Sequence, residues 1–236
     1  MKKEKNLLKD TTKINFDYDD IFINTLNLPW LPWIGIDFNK TNSKIMILGE
    51  STYNWNPKDK SILDRIKNNN HLRVLHQNHA INFKSKGNYV RNIERAIFND
   101  KTPSDENKLN LWNSIVYHNL VLTCMPTIKS RPSYNDYLEG WNKYLLLISL
   151  LKIKNSLVYG LESKKYNALR EVLKKDNINF KYIKLSTKVG QNYPRIIEFE
   201  IDGLTHKLLF IRHPSSFFSW KKWGIVINEN ISFDLE

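Results

Sequence analysis

Lys44-Ile45-Met46-Ile47-Leu48-Gly49-Glu50-Ser51-Thr52-Tyr53 is the most informative stretch of this chain. Residues 44–48 form an apolar run without polar alternation, as in a strand covered on both faces of a sheet, and Gly49 closes it before a polar segment. Working outward, Ser114-Ile115-Val116-Tyr117-His118-Asn119-Leu120-Val121-Leu122 reads as a second strand. Ser156-Leu157-Val158-Tyr159, ended by Gly160, reads as a third. Apolar residues recur at helical spacing over 137–152, and 162–175 reads as a further helix. This β-α-β-α order predicts an α/β fold, a three-layer α/β/α sandwich with a central, mostly parallel sheet. Ligands of such a sheet collect at the carboxyl ends of its strands. Later, Ile196-Ile197-Glu198-Phe199-Glu200-Ile201 and Leu204-Thr205-His206-Lys207-Leu208-Leu209-Phe210-Ile211 flank Asp202-Gly203, a strong hairpin signal. Near the start, 21–28 reads as a short helix stopped by Pro29 and Pro32.

The 236 residues are 41% hydrophobic and 12% aromatic, with seven Trp, enough to bury a core and unlike a disordered chain. With no linker or repeat, one domain over 1–236 is expected. A net charge of +12 and a pI near 9.5 fit a polyanionic partner, nucleic acid before an anionic membrane surface; a Lys-, Asn- and Ile-rich composition also follows from an AT-rich genome. The charged start lacks a secretory signal's apolar segment, and no run approaches the roughly 20 apolar residues of a membrane span. A cytoplasmic protein, with no membrane partner, is therefore expected. Cys124 is the single cysteine, which excludes an internal disulfide and any cluster built from several thiolates.

Polar residues follow three strands: Gly49-Glu50-Ser51-Thr52-Tyr53, Asn119, and Arg212-His213-Pro214-Ser215-Ser216. Each alone fits an ordinary role: a strand-to-helix turn, a satisfied buried amide, a helix cap whose His packs on a Trp. Together, and in this order, they point to a site at the sheet's carboxyl end.

In these motifs the sequence resembles the uracil-DNA glycosylase superfamily. Its members carry a Gly-(Gln/Glu)-x-Pro-like motif after the first core strand and a His-Pro-Ser-like motif near the end, many with an Asn in a middle strand. Asn119-Leu120-Val121 through Arg131-Pro132-Ser133 to Leu157-Val158-Tyr159-Gly160 is similar to the middle of the iron-sulfur branch. The resemblance implies a monofunctional DNA glycosylase acting on a flipped-out pyrimidine, with DNA as partner, in duplex or single strand. It implies Glu50 orienting water at the anomeric carbon, His213 donating a hydrogen bond to the departing base, and Asn119 reading its Watson–Crick edge. Gly49, Ser51, Tyr53 and Trp55 are candidate substrate contacts. Arg131, Ser133, Arg212, Ser215, Ser216, Phe217, Phe218 and Lys221 are candidate DNA contacts, with Trp220 and Lys222 alongside. Ser215 and Ser216 fit helix capping equally, and the aromatics fit core packing.

The chain departs from the family pattern. Ser51 and Thr52 replace the acid and Pro of the best-known branch, leaving Glu50 as the only candidate carboxylate. The cluster cysteines are missing, so neither a metal nor another cofactor is expected. Tyr53 occupies a position that, in the uracil-strict branch, excludes bases substituted at carbon 5. From Gly49 to Asn119 the chain runs 70 residues, and a long helical insertion is expected at 54–112. Its His71, His76, His79, Lys84, Lys86, Tyr89, Arg91 and Arg95 fit either a wider pocket or a solvated helical face. Trp30 and Trp33, each following a proline, fit the site or the core. Extra room would suit a bulky modified cytosine, such as a glucosylated hydroxymethylcytosine met in antiviral defence; uracil ranks just ahead of it. The competing classes are a non-catalytic module binding DNA lesions or single strands and a small-molecule hydrolase on the same sheet. A monomer is expected.

Overall fold

The computed structural model describes residues 8, 10–56, 58–83 and 87–235. Its frame is a seven-stranded mixed sheet with helices on both faces, an α/β fold. In chain order the elements are α1 (Asp19–Asn24), β1 (Trp33–Ile34), β2 (Ile45–Gly49), β3 (Thr52–Tyr53), α2 (Lys60–Ile66), α3 (His71–His76) and a π-helical turn (Gln77–Ile81). Then come α4 (Asn88–Phe98), α5 (Asp105–Ser114), β4 (Val116–Asn119), β5 (Cys124–Met125), α6 (Tyr134–Leu151), β6 (Asn155–Tyr159) and α7 (Ser163–Lys175). Finally β7 (Phe180–Lys184), β8 (Arg195–Ile201), β9 (Leu204–Ile211) and α8 (Trp220–Asn230) complete the chain.

The sheet order is β1-β4-β2-β6-β9-β8-β7. The central β4, β2, β6 and β9 are mutually parallel, while β1 runs antiparallel to β4 and the β9-β8-β7 edge pairs antiparallel, so the sheet is mixed. From β2 the chain goes to β4 on one side, then to β6 on the other. That reversal opens a crevice beyond the carboxyl ends of β2, β4 and β6. Every residue of β2 is buried, as its unbroken apolar run requires. Met46 and Leu48 point into a cluster shared with α6 and α7; Ile45 and Ile47 point into a second cluster shared with α4, α5 and α8.

Local chemistry explains the boundaries. Helix α6 begins earlier than its apolar spacing indicates because Ser133 and Asp136 form a reciprocal capping box. Asp202 and Gly203 both take positive φ, 53° and 73°, as a two-residue hairpin turn with matched twist demands. The second predicted strand is shorter than 114–122: Ser114 ends α5, which Ser104 caps, and β4 stops at Asn119. The short helix near the start covers only Asp19–Asn24. No helix among the described residues is long and apolar enough to cross a membrane.

Candidate functional site

A cavity of about 280 Å³ opens in this crevice, close to the lower end of the ~300–1,000 Å³ usual for small-ligand sites. One wall is made by strand ends: Gly49 to Tyr53 after β2, Asn119 at the end of β4, and His213 after β9. The opposite wall comes from the segment between Tyr53 and β4, with Trp55, Leu72, Leu75, His76, His79 and Tyr89. Glu50, Asn119 and His213, distant in sequence, thus face one space, with Gly49, Ser51, Tyr53 and Trp55 around them.

Glu50 is anchored from below. Its Oε1 accepts from Lys165 Nζ at 2.7 Å and from the Tyr137 hydroxyl at 3.0 Å, and Oε2 has no partner among the described residues. Burial alone would raise the Glu50 carboxyl, but the charge and hydrogen bond of Lys165, the Tyr137 hydroxyl and the nearby His213 outweigh it and hold it below its usual range. Glu50 therefore stays ionised at neutral pH in the lining of the cavity. Lys165 is fully buried, and its three donors go to Glu50, to Glu162 Oε2 at 3.0 Å and to the Tyr159 carbonyl at 2.5 Å. Gly160, at φ 100°, leaves it room, since a Cβ there would come within 2.1 Å of Lys165 Nζ.

His213 lies half-buried against Tyr159, ring centroids 5.6 Å apart. Its Nδ1 accepts from the Ser215 backbone N–H at 3.2 Å and sits 2.9 Å from the Ser215 hydroxyl, an arrangement that places the ring proton on Nε2. Burial lowers the imidazole below its ordinary value, although Glu50 pulls the other way, so it is neutral at pH 7 and still a donor. Helix α4 holds this loop through Asn92 Nδ2, which donates to the Pro214 carbonyl at 2.7 Å. Asn119 donates through Nδ2 to Thr52 Oγ1 at 3.2 Å, and its Oδ1 lies 3.5 Å from the Tyr117 hydroxyl. The backbone fixes this corner too: Leu120 N–H donates to the Gly49 carbonyl at 2.9 Å and Val121 N–H to the Glu50 carbonyl at 2.8 Å. The Ser51 hydroxyl is buried at the cavity wall without a partner among the described residues.

The wall supplied by the chain between Tyr53 and β4 is apolar and aromatic. His76 is buried among Tyr117, Trp112 and Trp33, at centroid distances of 4.6, 4.7 and 5.0 Å, and burial lowers its pKa to about 3. Trp33 and Trp30 themselves are core residues, their indole N–H groups donating to the carbonyls of Trp112 and Ile66. His71 packs on Trp30 instead of facing the cavity. Arg91 and Arg95 bond locally, to Asn88 and the Lys101 carbonyl; Lys84 and Lys86 lie outside the described residues.

Of the expected DNA contacts, Arg212 and Ser216 border a second depression that shares His213 with the cavity. Ser215 orients His213, and neither serine caps α8, whose N-cap is Ser219. Phe217 stands 91% exposed with φ 50°, a left-handed conformation rare for a bulky side chain. Phe218 is a correction: at 9% exposure it stacks on Trp223 inside the core, because the preceding turn at Phe217 swings the two neighbours to opposite sides. Ser133 is spent on its capping box, and Arg131 donates to the carbonyls of Ile128 and Ser130. Lys221 is exposed on α8, its ammonium 5.5 Å from the Trp220 ring.

No protein-family model matches this chain, and no curated protein matches it significantly. Sequence reasoning missed Lys165, Tyr137, Asn92 and Tyr117. Lys165 left a signal: it lies on the apolar stripe of α7 with Ala168, Leu169, Val172 and Leu173, where a buried amine demands a carboxylate. Among the described residues no group of three His, Cys, Asp or Glu side chains is arranged to hold a metal.

Proposed function

We propose that this chain is a monofunctional DNA glycosylase that hydrolyses the N-glycosidic bond of a flipped-out pyrimidine, leaving an abasic site. The observation that carries this reading is the convergence of Glu50, Asn119 and His213 on one cavity at the sheet's switch point. The ionised Glu50 has one free oxygen to hold a water and to face the electron-poor sugar of the transition state. His213, neutral with its proton on Nε2, donates to the base oxygen that gains charge. Asn119, pinned by Thr52 and Tyr117, keeps one donor hydrogen and one lone pair for the base edge. Water is the nucleophile in this scheme, since Lys165, the lysine at the site, has every donor committed beneath Glu50. A three-layer α/β/α sandwich, the frame expected for such an enzyme, is supported by the two apolar clusters on opposite sheet faces.

These protonation states favour a base that departs as an anion, hence uracil, over one that must be protonated to leave. The apolar inserted wall favours a second substrate, a pyrimidine enlarged at carbon 5, and the same assay addresses both. Oligonucleotides carrying uracil, G·U or G·T mismatches, 5-hydroxymethylcytosine or its glucosylated form are incubated with the protein, and abasic sites are scored by alkaline cleavage. One of them is cut, and Glu50→Gln, Asn119→Ala and His213→Ala each slow the cut at least ~100-fold. Intact strands across the panel would overturn the reading in favour of a binding module.

A further inference from the structure

The reaction cavity is the first of three concavities that share residues in series. His213 borders both the cavity and a second depression of about 330 Å³; Asn192 and Arg212 border that depression and a third of about 230 Å³. The third lies against the turn at Gly190 and Gln191, has no acidic residue in its lining, and is bounded by the exposed ring of Phe217. The loop 185–194 supplies its outer side. This loop leaves the edge strand β7 and folds back through paired backbone bonds between Val189 and Asn192. Beside it Lys184 and Lys188 place their ammonium groups 4.2 and 5.7 Å from the Tyr193 ring centroid. Arg195–Phe210 is the last pair of the β8-β9 ladder, and Tyr193 and Arg212 follow from that same end of it, two residues beyond each partner; the Arg212 guanidinium lies 5.8 Å from the Phe217 ring. Lys188 adjoins Val189 and Tyr193 adjoins Asn192, both in the lining of the third depression, so exposed lysines and a half-buried ring border it beside Arg212 and Phe217. A single polynucleotide strand requires such a border: phosphates meet the charges and bases stack on the rings.

We propose that the 185–194 loop, with Lys184, Lys188 and Tyr193, forms together with Arg212 and Phe217 a track that binds the single strand leading out of the reaction cavity. It rests on the reading that a nucleotide of that strand enters the cavity, but binding tests it apart from chemistry. The probe is a short fluorescein-labelled oligothymidylate, unmodified and uncleavable, followed by anisotropy over a range of salt. Wild-type protein binds it with an affinity that falls steeply with salt. Lys184→Ala with Lys188→Ala weakens binding about tenfold and shallows the salt slope by ~0.7 for each phosphate left without its lysine. Tyr193→Ala weakens binding about tenfold with the slope unchanged, and Tyr193→Trp restores it. Lys174→Ala with Lys175→Ala, on the last turn of α7, binds as wild type. Unchanged thermal melting of each variant separates these effects from misfolding. Wild-type protein that ignores the oligonucleotide, or track variants that bind it as tightly as wild type, would overturn the proposal. If the variants lose binding while no base is ever released, the track stands and the glycosylase reading falls.

Discussion

A single methyl group at Gly49 would lie 2.3 Å from Asn119 Oδ1 and 2.8 Å from the Tyr117 hydroxyl, so the smallest substitution there displaces the amide proposed to read the base. Gly49→Ala is expected to fold, because side-chain ends can move, yet to lower base release about 100-fold, the usual cost of a misplaced positioning group. Single-turnover cleavage beside a melting curve separates the two effects; a variant as active as wild type would remove Asn119 from the base edge. Lys165 invites the opposite test. Lys165→Met leaves Glu50 buried without its cation, so the carboxyl rises with burial, and the low-pH limb of the rate profile moves upward. A limb that stays in place would show that Lys165 does not set the Glu50 charge. Both Gly49 and Glu50 were legible from sequence because they follow a strand recognisable by its apolar run. Tyr137 was not, and Lys165 gave only the hint of an amine on an apolar stripe, since nothing in residue order says that α6 and α7 pack beneath the end of β2.

Among the elements, the strands were the most readable part and the helices between β3 and β4 the least. Strands β2, β6, β8 and β9 announce themselves through apolar runs and the Asp202-Gly203 turn. Strand β7, half-buried at the sheet edge, and the two-residue β1 carry too little periodicity to be seen. The described residues of 54–112 include α2, α3, a π-turn, α4 and most of α5, a division that depends on tertiary packing. Helix α6 allows a test at this scale. Ser133→Ala removes an N-cap, costs ~1 kcal/mol and lowers Tm by roughly 2–4 °C, while DNA affinity is unchanged. A loss of affinity at unchanged Tm would restore Ser133 as a DNA contact.

At the scale of the whole molecule, buried titratable groups set the response to pH. His71 is lowered to about 4, and His76 and His118 to about 3, because burial penalises their charged forms. Their stabilisation is complete above the unfolded value near 6.5 and is lost as pH falls, each group contributing a slope of ~1.4 kcal/mol per pH unit. Glu94 acts in the opposite sense. Burial raises it from 4.5 to about 7, although the hydrogen bond from the Trp112 indole pulls the other way, so its contribution is present below 4.5 and fades as pH rises through 7. Three groups against one make the protein less stable at pH 5 than at pH 7.5, and Glu94→Gln steepens the decline. Urea midpoints across this range check it; stability that is flat or higher at pH 5 would contradict the assigned charge states.

The groups proposed to break the bond arise from strand ends, whereas the surface facing them is contributed by a stretch of chain spliced between two of those strands. On that proposal, chemistry and admission sit on separate stretches of polypeptide. A lineage could exchange the spliced piece and so change which bases gain entry while the cutting machinery stays as it was, and a protein engineer could do the same by transplanting that stretch alone.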